Sequence, residues 1–137
     1  MKHLIKLFGV LLGIFLFSGC DNDDSTTTEQ VPGQWSLVNV SGGIAGINDS
    51  FPEGTIKWTY DEDTSTVTVV NNNADESLED IFATGTYNLS IIPSDNPSAC
   101  PQQIIIYNMN LGCQNINGDE MTFNQAVDDG YILTLVR

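Results

Sequence analysis

Basic residues and histidine are scarce in this chain. Its 137 residues include 4 Lys and Arg against 18 Asp and Glu, and the one histidine is His3. Lys2 and Lys6 stand beside that histidine, so the chain from residue 20 onward keeps only Lys57 and Arg137 as basic residues. A surface this acidic repels phosphate backbones, which argues against a nucleic-acid partner. The acidic excess is typical of a soluble, exposed surface.

The lack of imidazole after residue 20 also restricts the chemistry. Histidine is the usual general base, a frequent metal ligand and the usual partner of a Ser or Cys nucleophile. The carboxylates cluster in stretches that are typical of solvated turns, such as residues 61–63 and 75–80. Solvated carboxylates are poor candidates for acid catalysts. We therefore expect no catalytic residues, no metal site and no cofactor, and hence not an enzyme.

Long apolar runs are missing too, apart from residues 7–17. Two lysines precede this run, the small residues Ser18 and Gly19 follow it, and the chain turns acidic after Cys20. A run this short does not span a membrane as a mature helix, whereas the whole arrangement is typical of a secretory signal peptide. We predict a cleaved helical signal at residues 1–19, an acidic Ser/Thr-rich tether at 20–32 and one domain at 33–137.

The Ser-Gly-Cys ending of the signal resembles a bacterial lipobox. The resemblance implies that Cys20 becomes the new N-terminus and carries diacylglycerol and palmitate chains, which together anchor a protein firmly. Phe17 stands where lipoprotein signals usually carry Leu. The acidic residues after the cysteine resemble the export tag of surface lipoproteins in Bacteroidota, and in enterobacteria they resemble an inner-membrane retention signal. We expect a lipid-anchored protein of the cell envelope at the outer membrane, facing either the cell surface or the periplasm.

Only two other cysteines are present, Cys100 and Cys113. Beyond the inner membrane, a pair of cysteines in a small domain usually forms a disulfide. If residues 102–108 pair with the following strand, the cysteines are out of direct register. The loop from Pro93 to Pro101 must then fold back over the end of the strand. Two thiols alone do not suffice for a metal site.

From Gly33 onward the pattern is that of β-structure. Apolar and polar residues alternate with a period of two at 54–60, 64–71 and 83–91, as in half-buried antiparallel strands. Asn117-Gly118 predicts a hairpin turn. Many short strands with turns between them predict an all-β fold, a small up-and-down antiparallel β-barrel of seven or eight strands.

Two segments resemble the lipocalins. Pro32-Gly33-Gln34-Trp35 is similar to the lipocalin Gly-x-Trp signature, and residues 133–137 are similar to the last lipocalin strand. The resemblance implies that Arg137 lies across the Trp35 indole and closes one end of the barrel, a favourable cation–π contact. Together with the signal, the chain resembles the short lipocalin-like lipoproteins of Bacteroidota.

This resemblance implies a monomeric barrel that binds a small apolar ligand, with no protein partner specified. The inward-facing residues that would line the site are Trp58, Tyr60, Val69, Tyr87, Leu89, Ile104, Ile106, Phe123 and Leu133. The same residues would form a plain core if side chains fill the barrel, since the interior of eight strands is just wide enough for that. The alternative is therefore a structural or protein-interaction module of the envelope, like a META domain, with a filled barrel and no ligand.

Overall fold

A computed structural model describes residues 33–94, 98–100, 102–125 and 129–137 of this chain. The predicted signal peptide, the tether and Cys20 lie outside the described residues. Within those ranges there is no helix, and so none that is long and apolar enough to cross a membrane. The strands are β1 (Gly33–Gly42), β2 (Ile47–Ser50), β3 (Ile56–Asp61), β4 (Thr66–Asn71), β5 (Gly85–Pro93), β6 (Gln102–Ile106), β7 (Met109–Asn117), β8 (Glu120–Asn124) and β9 (Tyr131–Val136).

The strands form a closed antiparallel barrel. Strands β3 to β9 follow one another in sequence order, and β9 pairs with β1 to complete a ring of eight strands. The predicted all-β, up-and-down barrel is therefore confirmed. Strand β2 is additional, and it pairs only with the second half of β1, from Asn39 to Gly42. The sequence did not reveal β2, because its four residues Ile-Asn-Asp-Ser include Asn and Asp, which are depleted in strands.

Two bulges keep the apolar residues inside the barrel. The pairing of β1 with β9 shifts register between Leu37 and Asn39, so that Trp35, Leu37 and Val40 are all buried although their spacing is not strictly alternate. A similar shift in β7 lets Leu111 and Gln114 both face inward. An extra residue reverses the alternation of faces, and barrels use such bulges to bend their strands.

Short turns join most of the strands. In the β7–β8 hairpin the turn residues are Gly118 and Asp119, one position later than the Asn-Gly pair suggests, and only Gly118 has a positive φ, of 63°. A positive φ at the first central residue is typical of a type II′ turn. The β6–β7 turn is built in a similar way on Tyr107, with φ of 58°. The absence of glycine there explains why the sequence pattern did not mark this turn.

Two glycines with positive φ provide a test of how tightly β7 packs on the loop after β8. Gly112 has φ of +76°, and a Cβ there would overlap the carbonyl oxygen of Asn124, whereas a Cβ on Gly118 would meet nothing within 4 Å. Both Gly112→Ala and Gly118→Ala impose the left-handed conformation on alanine, at about 1–2 kcal/mol. We expect Gly112→Ala to lower the free energy of unfolding by at least about 2 kcal/mol more than Gly118→Ala, because it also displaces backbone. Urea denaturation of both variants measures the difference, and equal losses would contradict this packing.

Candidate functional site

One end of the barrel is closed by the first and last strands. The guanidinium carbon of Arg137 lies 4.5 Å from the centroid of the Trp35 ring, and Trp35 itself is buried. The Arg137 backbone N–H donates to the Asp119 carbonyl oxygen, at 3.0 Å, so the C-terminal residue is held beside the β7–β8 turn. The Arg137 side chain also lies 3.7 Å from the Asp119 carboxylate. That ion pair is exposed and contributes little, so the stacking on the indole is the contact that covers the core here.

The opposite end is filled by the loop between β4 and β5. Phe82 is buried, and its ring lies 5.5 Å from that of Trp58 and 5.0 Å from that of Tyr87. The Asn71 amide donates to the Phe82 carbonyl at 3.0 Å and to the Asp80 carboxylate at 2.8 Å. These bonds hold the loop while its aromatic ring fills the barrel mouth. The interior at this end is therefore occupied by the protein's own side chains.

A cleft of about 180 Å³ lies in the wall nearer the Arg137 end. It forms because β5 pairs with β4 only from Gly85 to Asn88, and beyond that point β5 pairs with β6 alone. Just past this pairing, the Leu89 N–H of β5 still donates a hydrogen bond to the carbonyl oxygen of Ser65, the residue before β4, at 2.9 Å. The chain turns away at Ser65, with φ of 51°, and leaves a gap beside the second half of β5.

The cleft has a polar wall and an apolar wall. The polar wall comes from the end of β3 and the turn that follows, and the apolar wall comes from β5, β6 and β8. The lining residues are Tyr60, Asp61, Glu62 and Ser65 on the first side, and Leu89, Ile91, Ile104 and Phe123 on the second. Such an arrangement suits a molecule with an apolar body and one polar group.

The nine residues predicted to line a ligand site fall into two groups in the structure, one at the cleft and one in the core. Four of them line the cleft, namely Tyr60, Leu89, Ile104 and Phe123. The others belong to the packed core or its margin: Trp58, Val69, Ile106 and Leu133 are fully buried, and Tyr87 is half-buried against Phe82. All nine face the interior, but the alternation of faces alone does not say which part of the interior is unfilled.

Sequence reasoning missed four residues of the cleft: Asp61, Glu62, Ser65 and Ile91. Ile91 shares the inward face of β5 with Leu89, so its alternation was a usable signal. The other three lie in or beside the β3–β4 turn, which the sequence identified only as a solvated acidic stretch. Their role depends on the divergence of β4 from β5, for which no local sequence pattern exists.

Tyr60 has an unusual environment within the cleft wall. Its side chain is 7% exposed, and no described residue forms a hydrogen bond with its hydroxyl group. Burial raises the pKa of the Tyr60 hydroxyl well above its usual range, so the group stays protonated. A buried hydroxyl without a partner costs about 1–3 kcal/mol, and native structures contain few of them.

Cys100 and Cys113 are joined in a disulfide. The Cα atoms of Cys100 and Cys113 lie 5.4 Å apart. Cys113 pairs with Gln103, so Cys100 precedes that pair by three residues and still lies against β7. The bond ties the β5–β6 connection to β7. Across the part of the chain that the structure describes, no group of three or more His, Cys, Asp or Glu side chains is arranged to hold a metal ion.

A matched pair of tyrosine variants tests whether the Tyr60 hydroxyl is without a partner. Tyr87 provides the comparison, since its hydroxyl donates to the Ala83 carbonyl at 2.9 Å. We expect Tyr60→Phe to leave the free energy of unfolding unchanged or to raise it by up to about 1 kcal/mol, and Tyr87→Phe to lower it by about 0.5–1 kcal/mol. Thermal and urea denaturation measure both, and a loss at Tyr60 equal to that at Tyr87 would show a partner for Tyr60.

Comparison of this chain with known protein families, with curated proteins and with solved structures found no match in any of the three.

Proposed function

We propose that this protein is a lipid-anchored lipoprotein of the bacterial cell envelope whose β-barrel binds a small, mainly apolar molecule. The observation that carries the binding function is the cleft beside β5. Leu89 and Ile91 offer apolar surface there, next to a polar wall that can orient a ligand. Ligand sites are typically apolar cavities with a few polar groups that fix orientation.

The volume of the cleft limits the size of the ligand. At about 180 Å³ it is smaller than the roughly 300–1,000 Å³ typical of sites for drug-sized molecules. It is slightly larger than an apolar cavity of about 150 Å³ that accepts benzene. The proposed ligand is thus a single small ring or a short alkyl chain, or one end of a longer chain that projects into solvent.

The anchor is proposed from the first part of the sequence. Residues 1–19 have the basic start, apolar run and small residues of a signal, and Cys20 follows them directly. Acyl chains on Cys20 would hold the barrel at a membrane through the tether at 20–32, which is long enough to leave the barrel in solvent. We propose that this membrane is the outer membrane, as the resemblance to Bacteroidota lipoproteins implies.

The second candidate function is a structural or protein-interaction module without a ligand. The packing of the barrel favours it, because its largest side chains, including Trp35, Trp58 and Phe123, are fully buried against one another. Phe82 also fills the mouth at one end. In that case the cleft beside β5 would hold only water.

A variant that fills the cleft distinguishes the two candidate functions. Ile91→Trp places a larger ring in the cleft, whereas Ser90→Trp places the same ring on the outer face of β5, where Ser90 is exposed. We expect 1-octanol to bind with a Kd on the order of 0.1 mM, since small ligands gain about 0.3–1.5 kcal/mol per non-hydrogen atom. Ile91→Trp should weaken binding at least tenfold and Ser90→Trp should not.

Isothermal titration calorimetry on the full chain with Cys20→Ala measures this binding without detergent. Circular dichroism of the two tryptophan variants checks that both keep the β-fold. Equal binding by the two variants would place the ligand elsewhere. An absence of binding to the folded parent protein would favour the module without a ligand.

The anchor has its own test. Cys20→Ala removes the thiol that the acyl chains require, and Ser18→Ala keeps a small residue before the cut site. We expect alkyne-labelled palmitate to enter the parent protein and Ser18→Ala, but not Cys20→Ala, and we expect Cys20→Ala to leave the membrane fraction. Labelling followed by mass spectrometry of the N-terminal peptide measures acylation. Label on the Cys20→Ala protein, or none on the parent, would contradict the anchor.

A further inference from the structure

The mouth of the cleft carries negative charge. Asp61 and Glu62 both line it, and of the described residues that line the cleft none is Lys or Arg. The neighbouring Asp63 adds a third carboxylate to the same turn without lining the cleft. The field is strongest where low-dielectric walls confine it, so these carboxylates act on a ligand in the cleft more than on one in open solvent.

Tyr60, one of the residues of the polar wall, also carries a buried hydroxyl group. Tyr60 directly precedes the two carboxylates in the chain, and it lines the same cleft. Its oxygen can accept a hydrogen bond as well as donate one, and within the described part of the chain it does neither. The oxygen itself is shielded from solvent, so a ligand group bonds to it only if the Tyr60 side chain moves toward the cleft; the acceptor is then already desolvated, and the bond costs less to form than one with a hydrated group.

The apolar wall favours a ligand with an apolar body. Ile104 and Phe123 are buried at its base, and Leu89 and Ile91 are half-buried along β5. The two walls together therefore bring the aliphatic side chains of β5 to one side of the cleft, and two acidic residues and Ser65 to the other. A molecule that matches both has an apolar chain or ring with a positively charged head.

We propose that this cleft selects a cationic amphiphile, with the ammonium group of an alkyl or aryl amine held at Tyr60, Asp61 and Glu62 and its apolar part against β5. This inference rests on the proposed function, since it specifies the ligand class of the same cleft. It excludes a fatty acid as the preferred ligand, because the carboxylate of a fatty acid would lie beside two carboxylates of the protein.

Three probes with the same alkyl chain test the charge preference directly. Octylamine is protonated at neutral pH, 1-octanol is neutral and octanoate is negative. We expect octylamine to bind roughly three- to tenfold more tightly than 1-octanol, and octanoate to bind more weakly than 1-octanol by a similar factor. The difference should shrink as NaCl is raised, because salt screens exposed carboxylates. Calorimetry with the full-length Cys20→Ala protein measures all three.

Substitutions in the turn identify the residues responsible. Glu62→Gln and Asp61→Asn each remove one charge, and Asn at position 61 keeps an oxygen for the bond that the Thr64 N–H donates to Asp61 at 3.1 Å. Each should lower octylamine affinity roughly two- to fivefold and lower 1-octanol affinity less, because 1-octanol carries no charge. Tyr60→Phe should lower octylamine affinity by a similar factor. Asp63→Asn is the matched control, because it removes a charge from the same turn outside the cleft.

The outcomes distinguish this inference from the proposed function. Preference for octylamine that Glu62→Gln or Asp61→Asn reduces, and Asp63→Asn does not, supports the inference. Equal binding of the three probes, or tightest binding of octanoate, overturns it and leaves an apolar binding site in place. An equal loss from Asp63→Asn also overturns it, because attraction would then come from the general acidity of the surface. Failure of every probe to bind the folded protein overturns the inference and the proposed function together.

Discussion

Pairing of the first strand with the last is the constraint on which the rest of this structure depends. Strand β1 bonds to β9 along most of its length, with Leu37 opposite Leu135 and Val40 opposite Leu133. Closure satisfies backbone groups that an open edge would leave unpaired, and it sets a fixed radius for the interior. It also brings the C-terminal Arg137 over Trp35, residues that are 102 positions apart in the chain.

Because the barrel has a fixed radius, its two ends are closed by different side chains. At one end Phe82 comes from the β4–β5 loop and completes an aromatic cluster with Trp58 and Tyr87. At the other end Arg137 covers Trp35, and β5 leaves β4 too early for the wall to close completely. The cleft therefore lies in the wall of the barrel, between the β3–β4 turn and β5. This position explains how one small domain combines a filled core with an accessible cleft.

Much of the fold could be predicted from local pattern. The alternation in β3, β4 and β5 identified strands and their inward faces, and the pair Asn117-Gly118 identified a hairpin. The β6–β7 turn was not predicted, because Tyr107 takes a positive φ there without the glycine that normally marks such a turn. The bulges near Val38 and Gly112 were not predicted either, since a register shift depends on the partner strand. Half of the cleft lining was among the predicted residues, and the other half, which includes both acidic residues, was not.

The all-β class, the inward faces of the strands and the excess of acidic over basic residues follow directly from side-chain alternation and composition. Which inward-facing residues form core and which border a cleft depends instead on how the strands pack in three dimensions. Core and cleft residues differ because β5 stops pairing with β4 after Asn88. Asp61 and Glu62 then line one side of the resulting cleft, and Leu89 and Ile91 line the other. Such a separation is set by the closure of the whole barrel, and therefore no short segment of the chain encodes it.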